Sequence, residues 1–462
     1  MYSSSVIKKS EKYFRNVESF IKKNSAPEII GIPDLASLYP RNKILEKRIS
    51  FYAKTINFFR KFFSKNFLCS NIKLERTFDY LIVSHLVNYK NIKYKNDFYF
   101  GALGQKLGKK KVLFLLIDHI KVDKKKFKKN ALGNYVILPT FLSFFTELKT
   151  YLKTFLILFL KSLHYPKIKI FSIDNVARSV QSQRIANQVS IFAKKFKIKK
   201  IFITFEGQPY EKLLCHQVRE NNKRVICIGY QFSILRKFQH SMFLNVKKKY
   251  FPDTIFSVNN YNKKILSKNL KKKTKVFVGG VLKKEKYIFF SKNLKKFSKK
   301  FRVLVMPEGI PSEIEFFLKY CKENNNSRIL FCFRMHPIFQ NSNFIKNLNI
   351  KDNLNIEFSK NELDDDLKQN DYVLYRGTSA VIKAVAQGLL PIYLNNKKET
   401  TIDPLYVFNR RHFVNSNESL LKFIIKIKNN NNFKNEQKRI YNFSKNFYKD
   451  SNFKAILKVA NK

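Results

Sequence analysis

Residues 375–394 read YRGTSAVIKAVAQGLLPIYL. The apolar run DYVLY (371–375) enters this stretch as a strand. Arg376, Gly377, Thr378 and Ser379 form a turn of small and polar residues. Ala380–Gln387 has the composition of a short helix, Gly388 stops it, and LPIYL (390–394) returns as a second strand. A strand, turn, helix and strand packed this tightly make a βαβ unit, and such units build a parallel sheet. Thr378 or Ser379 is expected to cap the helix, leaving backbone N–H groups directed outward. At the carboxyl end of a parallel strand that geometry attracts anions.

Working outward, the same signature recurs. DYLIVSHLV (79–87), KVLFLLIDHI (111–120), KKIFITF (199–205), RVICIGY (224–230), TIFSVN (254–259) and KVFVGG (275–280) form a first set of continuous apolar runs. RVLVMPEG (302–309), ILFCFRMHP (329–337), NIEFS (355–359), DYVLYRG (371–377) and LPIYL form a second. Uninterrupted runs of this length suit strands buried on both faces. The expected class is α/β, with two Rossmann-like domains facing across a cleft and a helical N-terminal extension. The boundaries read as 1–75 for the extension, 76–285 and 300–420 for the domains, and 421–462 for a helical tail. The link falls near residues 283–300. The NNNN run at 429–432 reads as a loop, and no internal repeat stands out.

Composition narrows the partners. The chain has 462 residues, 91 of them Lys or Arg and 33 Asp or Glu, for a formal charge of +58. Only 17 of the basic residues are Arg, and Lys, Asn, Ile and Phe abound, which is the imprint of A/T-rich codons on part of that charge. The remainder still draws anions at long range. Basic residues are scattered rather than gathered, and no zinc-ligand spacing or RNA-recognition signature occurs, so no nucleic-acid partner is expected. An anionic membrane surface is the better match. Five cysteines without a CxxC pair imply reduced, buried thiols and a cytoplasmic setting. The first residues, MYSSSVIKKSEKYF, lack the apolar core of a signal peptide. FLSFFTELKTYLKTFLILFLKSLHY (141–165) is broken by Glu147, Lys149, Lys153 and Lys161, so it reads as an amphipathic or buried helix, or as one lying in the headgroup plane.

Several residues carry candidate chemistry. Arg334 and His336 in FRMHP are two apart on an expected strand and share one face, with Pro337 ending the strand. Glu206 follows IFITF, Gly207 breaks the strand, Pro209 opens a helix, and Glu211 sits in its first turn. Gln231, Ser233 and His240 follow the next run. Glu308 and Gly309 follow the first strand of the second domain, and Ser312 with Glu315 has capping-box spacing. Asp364-Asp365-Asp366 has a metal-binding look, but its place at a helix start suits the dipole, and no metal or cofactor is expected.

The pairing of His336-Pro337 with YRGTSAVIKAVAQGLLPIYL about forty residues later resembles the nucleotide-sugar-binding domain of GT-B glycosyltransferases. The resemblance is greatest to bacterial surface and capsular polysaccharide enzymes and spans roughly residues 79–394. Phe205-Glu206-Gly207, His336-Pro337 and Thr378-Ser379 are also similar to motifs of CMP-sugar-using sialyl and Kdo transferases. The resemblance implies a metal-independent transfer from a nucleotide-sugar donor to a glycan or lipid-linked acceptor, at the cytoplasmic membrane face. It implies donor contacts at Arg334, Arg376, Gly377, Thr378, Ser379, Glu308 and Gly309, and catalytic roles for Glu206 and His336. Acceptor contacts are expected at Gln231, Ser233, Glu211 and His240. Where such enzymes place a ribose-binding Glu, this chain has Lys383. Polyol-phosphate transfer, or a non-catalytic basic binding protein, remain the alternatives.

Overall fold

Continuous apolar runs become strands only if both sheet faces are covered, and helices between parallel strands supply that cover. The computed structural model achieves this twice. It describes residues 4–32, 68–69, 77–87, 89, 92, 97–108, 111–120, 122–131, 133–138, 143–168, 170–236, 240–270, 273–283, 300–336, 355–396, 402–408, 412–428, 431–448 and 450–461. Residues 284–299 of the link expected near 283–300, and Pro337, lie outside these residues.

The first sheet holds β1 (Leu68–Cys69), β2 (Tyr80–Leu86), β3 (Val112–Asp118), β4 (Tyr135–Ile137), β5 (Lys200–Thr204), β6 (Ile226–Gln231), β7 (Thr254–Ser257) and β8 (Lys275–Val278). Their order is β1-β4-β3-β2-β5-β6-β7-β8, parallel throughout except that β1 runs against β4. The second sheet holds β9 (Phe301–Met306), β10 (Ile329–Phe333), β11 (Ile356–Phe358), β12 (Tyr372–Tyr375), β13 (Leu390–Asn395) and β14 (Phe413–Asn415). Its order is β11-β10-β9-β12-β13-β14, all parallel. Both sheets are doubly wound. In the first the winding reverses between β2 and β5, in the second between β9 and β12.

The apolar faces pack as the sequence implies. Leu113 and Leu115 of β3 point to one core, with Ile201 and Ile203, while Val112, Phe114 and Leu116 point to the other. The opening stretch folds as read: helix Ala380–Ala386 buries Val381, Ile382, Ala384 and Val385, and Gly388 ends it at φ 92°. That angle is strained for any side chain.

The expected N-terminal extension opens with helix Ser4–Lys23, whose Val17, Phe20 and Ile21 join the first domain's core, and its residues 33–67 and 70–76 lie outside the described residues. Three expectations need correction. The tail is not one unit. Helix Leu420–Lys428 buries Leu420 and Ile424 against the second sheet, whereas helix Phe453–Asn461 returns to the first domain, where Ile456 and Ala460 are fully buried. Asn431 and Asn432, expected in a loop, open helix Asn431–Phe447. Finally, β10 ends at Phe333, so Arg334 and His336 lie beyond the strand rather than on one of its faces. Strands β1, β4 and β14 went unread because two or three residues carry no periodicity.

Candidate functional site

Where a doubly wound sheet reverses, the loops leaving the strands' carboxyl ends diverge to opposite faces and open a crevice. In the first sheet that point lies between β2, which carries His85 next to its end, and β5, followed by Glu206. The flanking strands deliver His119 after β3 and Phe232 to Arg236 after β6. In the second sheet, Pro307 to Gly309 follow β9 and Arg376 to Ser379 follow β12, with Arg334 to His336 emerging from β10 alongside.

The two reversal points share a local design. Residues 206–211 read EGQPYE and residues 308–313 read EGIPSE, each leaving the first strand beyond its reversal point or the strand beside it. In each, proline opens the following helix and the second glutamate, two residues on, reaches back into the turn. The Glu211 carboxylate accepts from the backbone N–H groups of Glu206, Gly207 and Gln208, each at 2.9 Å. The Glu313 carboxylate accepts from the N–H of Glu308 at 3.3 Å. Each buried glutamate has a buried cation nearby, Lys212 in one case and Arg376 in the other. The turn that each of these glutamates ties down carries the first glutamate of the pair just past the carboxyl end of its strand. The sequence therefore does contain a repeat, a short one.

Arg236 joins the halves. Its guanidinium pairs with the Glu308 carboxylate at 2.6 Å and also donates to the Gly377 carbonyl. A Cβ at Gly377 would sit 2.3 Å from Glu308 Oε1, so any side chain there would push the Glu308 carboxylate aside. On its own side Arg236 lies close enough to Glu206 to favour its charge. One arginine of the first domain therefore touches the loops after β9 and β12, and the two crevices face each other. The fold is GT-B-like.

No protein-family profile matches the chain, and no curated protein does either. Among solved structures, it is similar to the UDP-GlcNAc 2-epimerase from Neisseria meningitidis bound to UDP-GlcNAc, with a TM-score of 0.49 and 12% identity over 82% of this chain and 98% of that one. It is also similar to the glycosyltransferase SnogD from Streptomyces nogalater, with a TM-score of 0.44 and 9% identity over 83% of this chain and 100% of that one. The glycotransferase of kitacinnamycin gives a TM-score of 0.47 at 7% identity, over 83% and 98% of the respective chains. The GT-B-like assignment rests on the strand orders and on the crevice between them.

Within this crevice Glu206 is the group best suited to move a proton. Burial pushes its carboxyl up to about 7, partly opposed by a hydrogen bond from Ser233 and by Arg236. His336 sits at the rim of the second domain, held below the usual imidazole range by partial burial and raised in part by nearby Glu308.

A second group was not anticipated. His85 Nδ1 lies 2.7 Å from His119 Nε2, and His85 Nε2 lies 2.8 Å from the Tyr210 hydroxyl, which is 3.2 Å from Thr204 Oγ1. A neutral imidazole donates through one nitrogen and accepts through the other, so the chain is satisfied with its protons running in either direction. Burial, and then His119, push His85 down to about 3. The unfolded chain takes up a proton at this position below about 6.5 and the native protein does not, so stability falls with acid across that interval. Urea titrations at pH 6.5 and 4.5 are expected to show wild type losing about 2 kcal/mol more than His85→Gln. Equal losses would mean that His85 titrates normally in the fold.

The other expected site residues divide. Glu308, Gly309, Gly377, Thr378, Ser379, Glu206, Ser233 and His336 all lie on loops that leave the facing strand ends. Gly309 lies within a tight turn closed by the Ile310 N–H on the Glu308 carbonyl at 2.8 Å. Thr378 Oγ1 accepts from the Ala380 N–H at 3.3 Å, whereas Ser379 has entered helical geometry and makes no side-chain cap. The Ser312–Glu315 capping box is not the one used, because Pro311 starts the helix and puts Glu313 at the capping position.

Four residues are corrected. Arg334, expected on donor phosphate, pairs with buried Asp366 at 2.6 Å and donates to the Asn361 carbonyl at 2.7 Å. Arg376 is 4% exposed, with its guanidinium over the Phe316 ring and beside Glu313. Glu211, expected at the acceptor, is fully buried beneath the turn it ties down. Gln231 is equally buried and accepts from Asn262 Nδ2 at 2.7 Å. The side chain of His240 lies outside the described residues, and its backbone begins helix His240–Phe243. The aspartate triplet is accounted for as well: Asp364 pairs with Lys383 at 2.8 Å, Asp365 with Lys368 at 3.5 Å, and Asp366 with Arg334.

Sequence reasoning missed Arg236, His85, His119 and Tyr210. His85 and His119 each stand at the end of an apolar run, which was a usable signal. Nothing local marks Arg236, whose partners are 72 and 141 residues away.

Proposed function

We propose that the protein is a glycosyltransferase that moves a sugar from a nucleotide-sugar donor to a glycan or lipid-linked acceptor of a surface polysaccharide. The observation that supports this most is the position of Arg236, which lies beside proton-affine Glu206 and is ion-paired with Glu308, itself close to His336. The donor phosphates lie against the loops after β9, β10 and β12, with His336, Gly309, Gly377, Thr378 and Ser379 as contacts. Glu206 takes the proton from the acceptor hydroxyl as it attacks the anomeric carbon. Arg236 and His336 stabilise the departing phosphate, which makes a metal unnecessary. The pair Arg236–Glu308 holds that charge in place before the donor arrives.

A thermal-shift screen of CMP, CDP, UDP and GDP is expected to show one nucleotide raising Tm, by mass action on the native state. His336→Ala should abolish the shift without lowering the Tm of the ligand-free protein, since this side chain is at the surface. Absence of any shift in wild type overturns the donor site. Donor consumption that needs no acceptor overturns transfer and places the chemistry with sugar-nucleotide isomerisation instead.

A further inference from the structure

The long helix Phe144–His164 turns Glu147, Thr154 and Leu158 inward. Glu147, its only acid, is ion-paired with Arg184, Thr154 accepts from Gln183 at 3.0 Å, and Leu158 enters the core. The opposite face should be polar if it met only water. Instead Phe145, Leu152, Leu156, Phe159 and Leu163 are 80, 59, 56, 41 and 62% exposed. Their spacing puts them on one stripe of a helix roughly 30 Å long. The stripe continues onto the adjoining segment, where Phe171 packs edge-on against Phe155 and Phe159 at 5.1 and 5.5 Å and Ile173 is exposed. An apolar band of this extent on a surface marks a contact with something apolar.

We propose that this stripe is a membrane-docking face that lies in the headgroup plane of an anionic bilayer. Among the described residues no helix is long and apolar enough to cross a membrane, so the helix lies flat. Lys149 and Lys153 border the stripe on one side, and Lys153 keeps 63% of its side chain exposed even while paired with Glu28 at 2.8 Å. Lysines in that position reach the phosphates while the rings and leucines enter the acyl boundary. Charge decides between occupants. A second copy of the chain would bring another +58 against the first, whereas an acidic leaflet neutralises it. This surface is separate from the crevice, so the proposal stands independently of sugar transfer.

The test is co-sedimentation of the full chain with phosphatidylcholine vesicles, with and without one part in about three of phosphatidylglycerol. Wild type should bind the anionic vesicles, and Leu156→Gln with Leu163→Gln should lower the partition coefficient about tenfold or more. The pair should melt like wild type by circular dichroism and keep the nucleotide shift, because both side chains already face solvent. Wild type that ignores anionic vesicles overturns the proposal, as does a variant that binds them equally well. Sedimentation velocity showing a wild-type dimer that the same pair dissociates would also overturn it, in favour of a second copy on the stripe.

Discussion

Replacing Glu206 with glutamine is expected to slow sugar transfer by roughly a hundred- to ten-thousandfold, the usual contribution of a general base. The amide keeps the shape and the hydrogen bond to Ser233 but cannot accept a proton. The wild-type pH profile carries the same assignment. Because burial raises Glu206 to about 7, the base form is the minority species below neutrality. Transfer should therefore fall about tenfold per pH unit on the acid side and level off above 7. In the glutamine variant the residual rate should lose this limb. The stability effect has the opposite sign. A folded-state carboxyl raised above its unfolded value binds protons preferentially in the native state, so wild type is more stable at pH 5 than at pH 8 through this group, and the variant loses that difference. Turnover retained in Glu206→Gln would leave the residue as scaffold.

Arg334→Met should be the most damaging substitution for stability near the site, by about 3–5 kcal/mol. Asp366 is fully buried, and its carboxylate also accepts from Ser359 at 2.6 Å. Methionine fills much of the space but leaves a buried negative charge whose cation has gone. For a domain of this size each kcal/mol lowers Tm by about 2–4 °C. Nucleotide binding by the protein that remains folded should persist. The reverse pattern, an unchanged Tm with nucleotide binding lost, would return Arg334 to the donor site. The contrast with His336→Ala is useful, since two residues of one tripeptide are expected to affect different measurements.

Local reading captured the strands because parallel sheets demand apolar runs, and runs are visible one residue at a time. The YRGTSAVIKAVAQGLLPIYL unit was legible for the same reason, together with Gly388. Glu206 was found because a strand, a breaker and a helix-opening proline follow one another. The failures share a different cause. Arg334 and Arg376 look like phosphate ligands in sequence, but their partners Asp366 and Glu313 are elsewhere in the chain and capture them in the interior. Arg236 looks like one lysine-rich loop residue among many until the second domain arrives opposite it. His85 and His119 meet only through the register that sets His85 beside Ile117. Even the EGQPYE and EGIPSE pair, visible on inspection, gains meaning only once both turns are seen at reversal points.

The return of helix Phe453–Asn461 to the first domain has a temporal consequence. Ile456 touches the position of Gly279 and Ala460 accepts from Lys200, so this helix finishes a layer whose strands were translated far earlier. At roughly 5–20 residues per second, the ribosome needs on the order of 10–30 s to travel from β8 to that helix. During that delay the nascent first half carries an apolar flank that this helix has yet to cover.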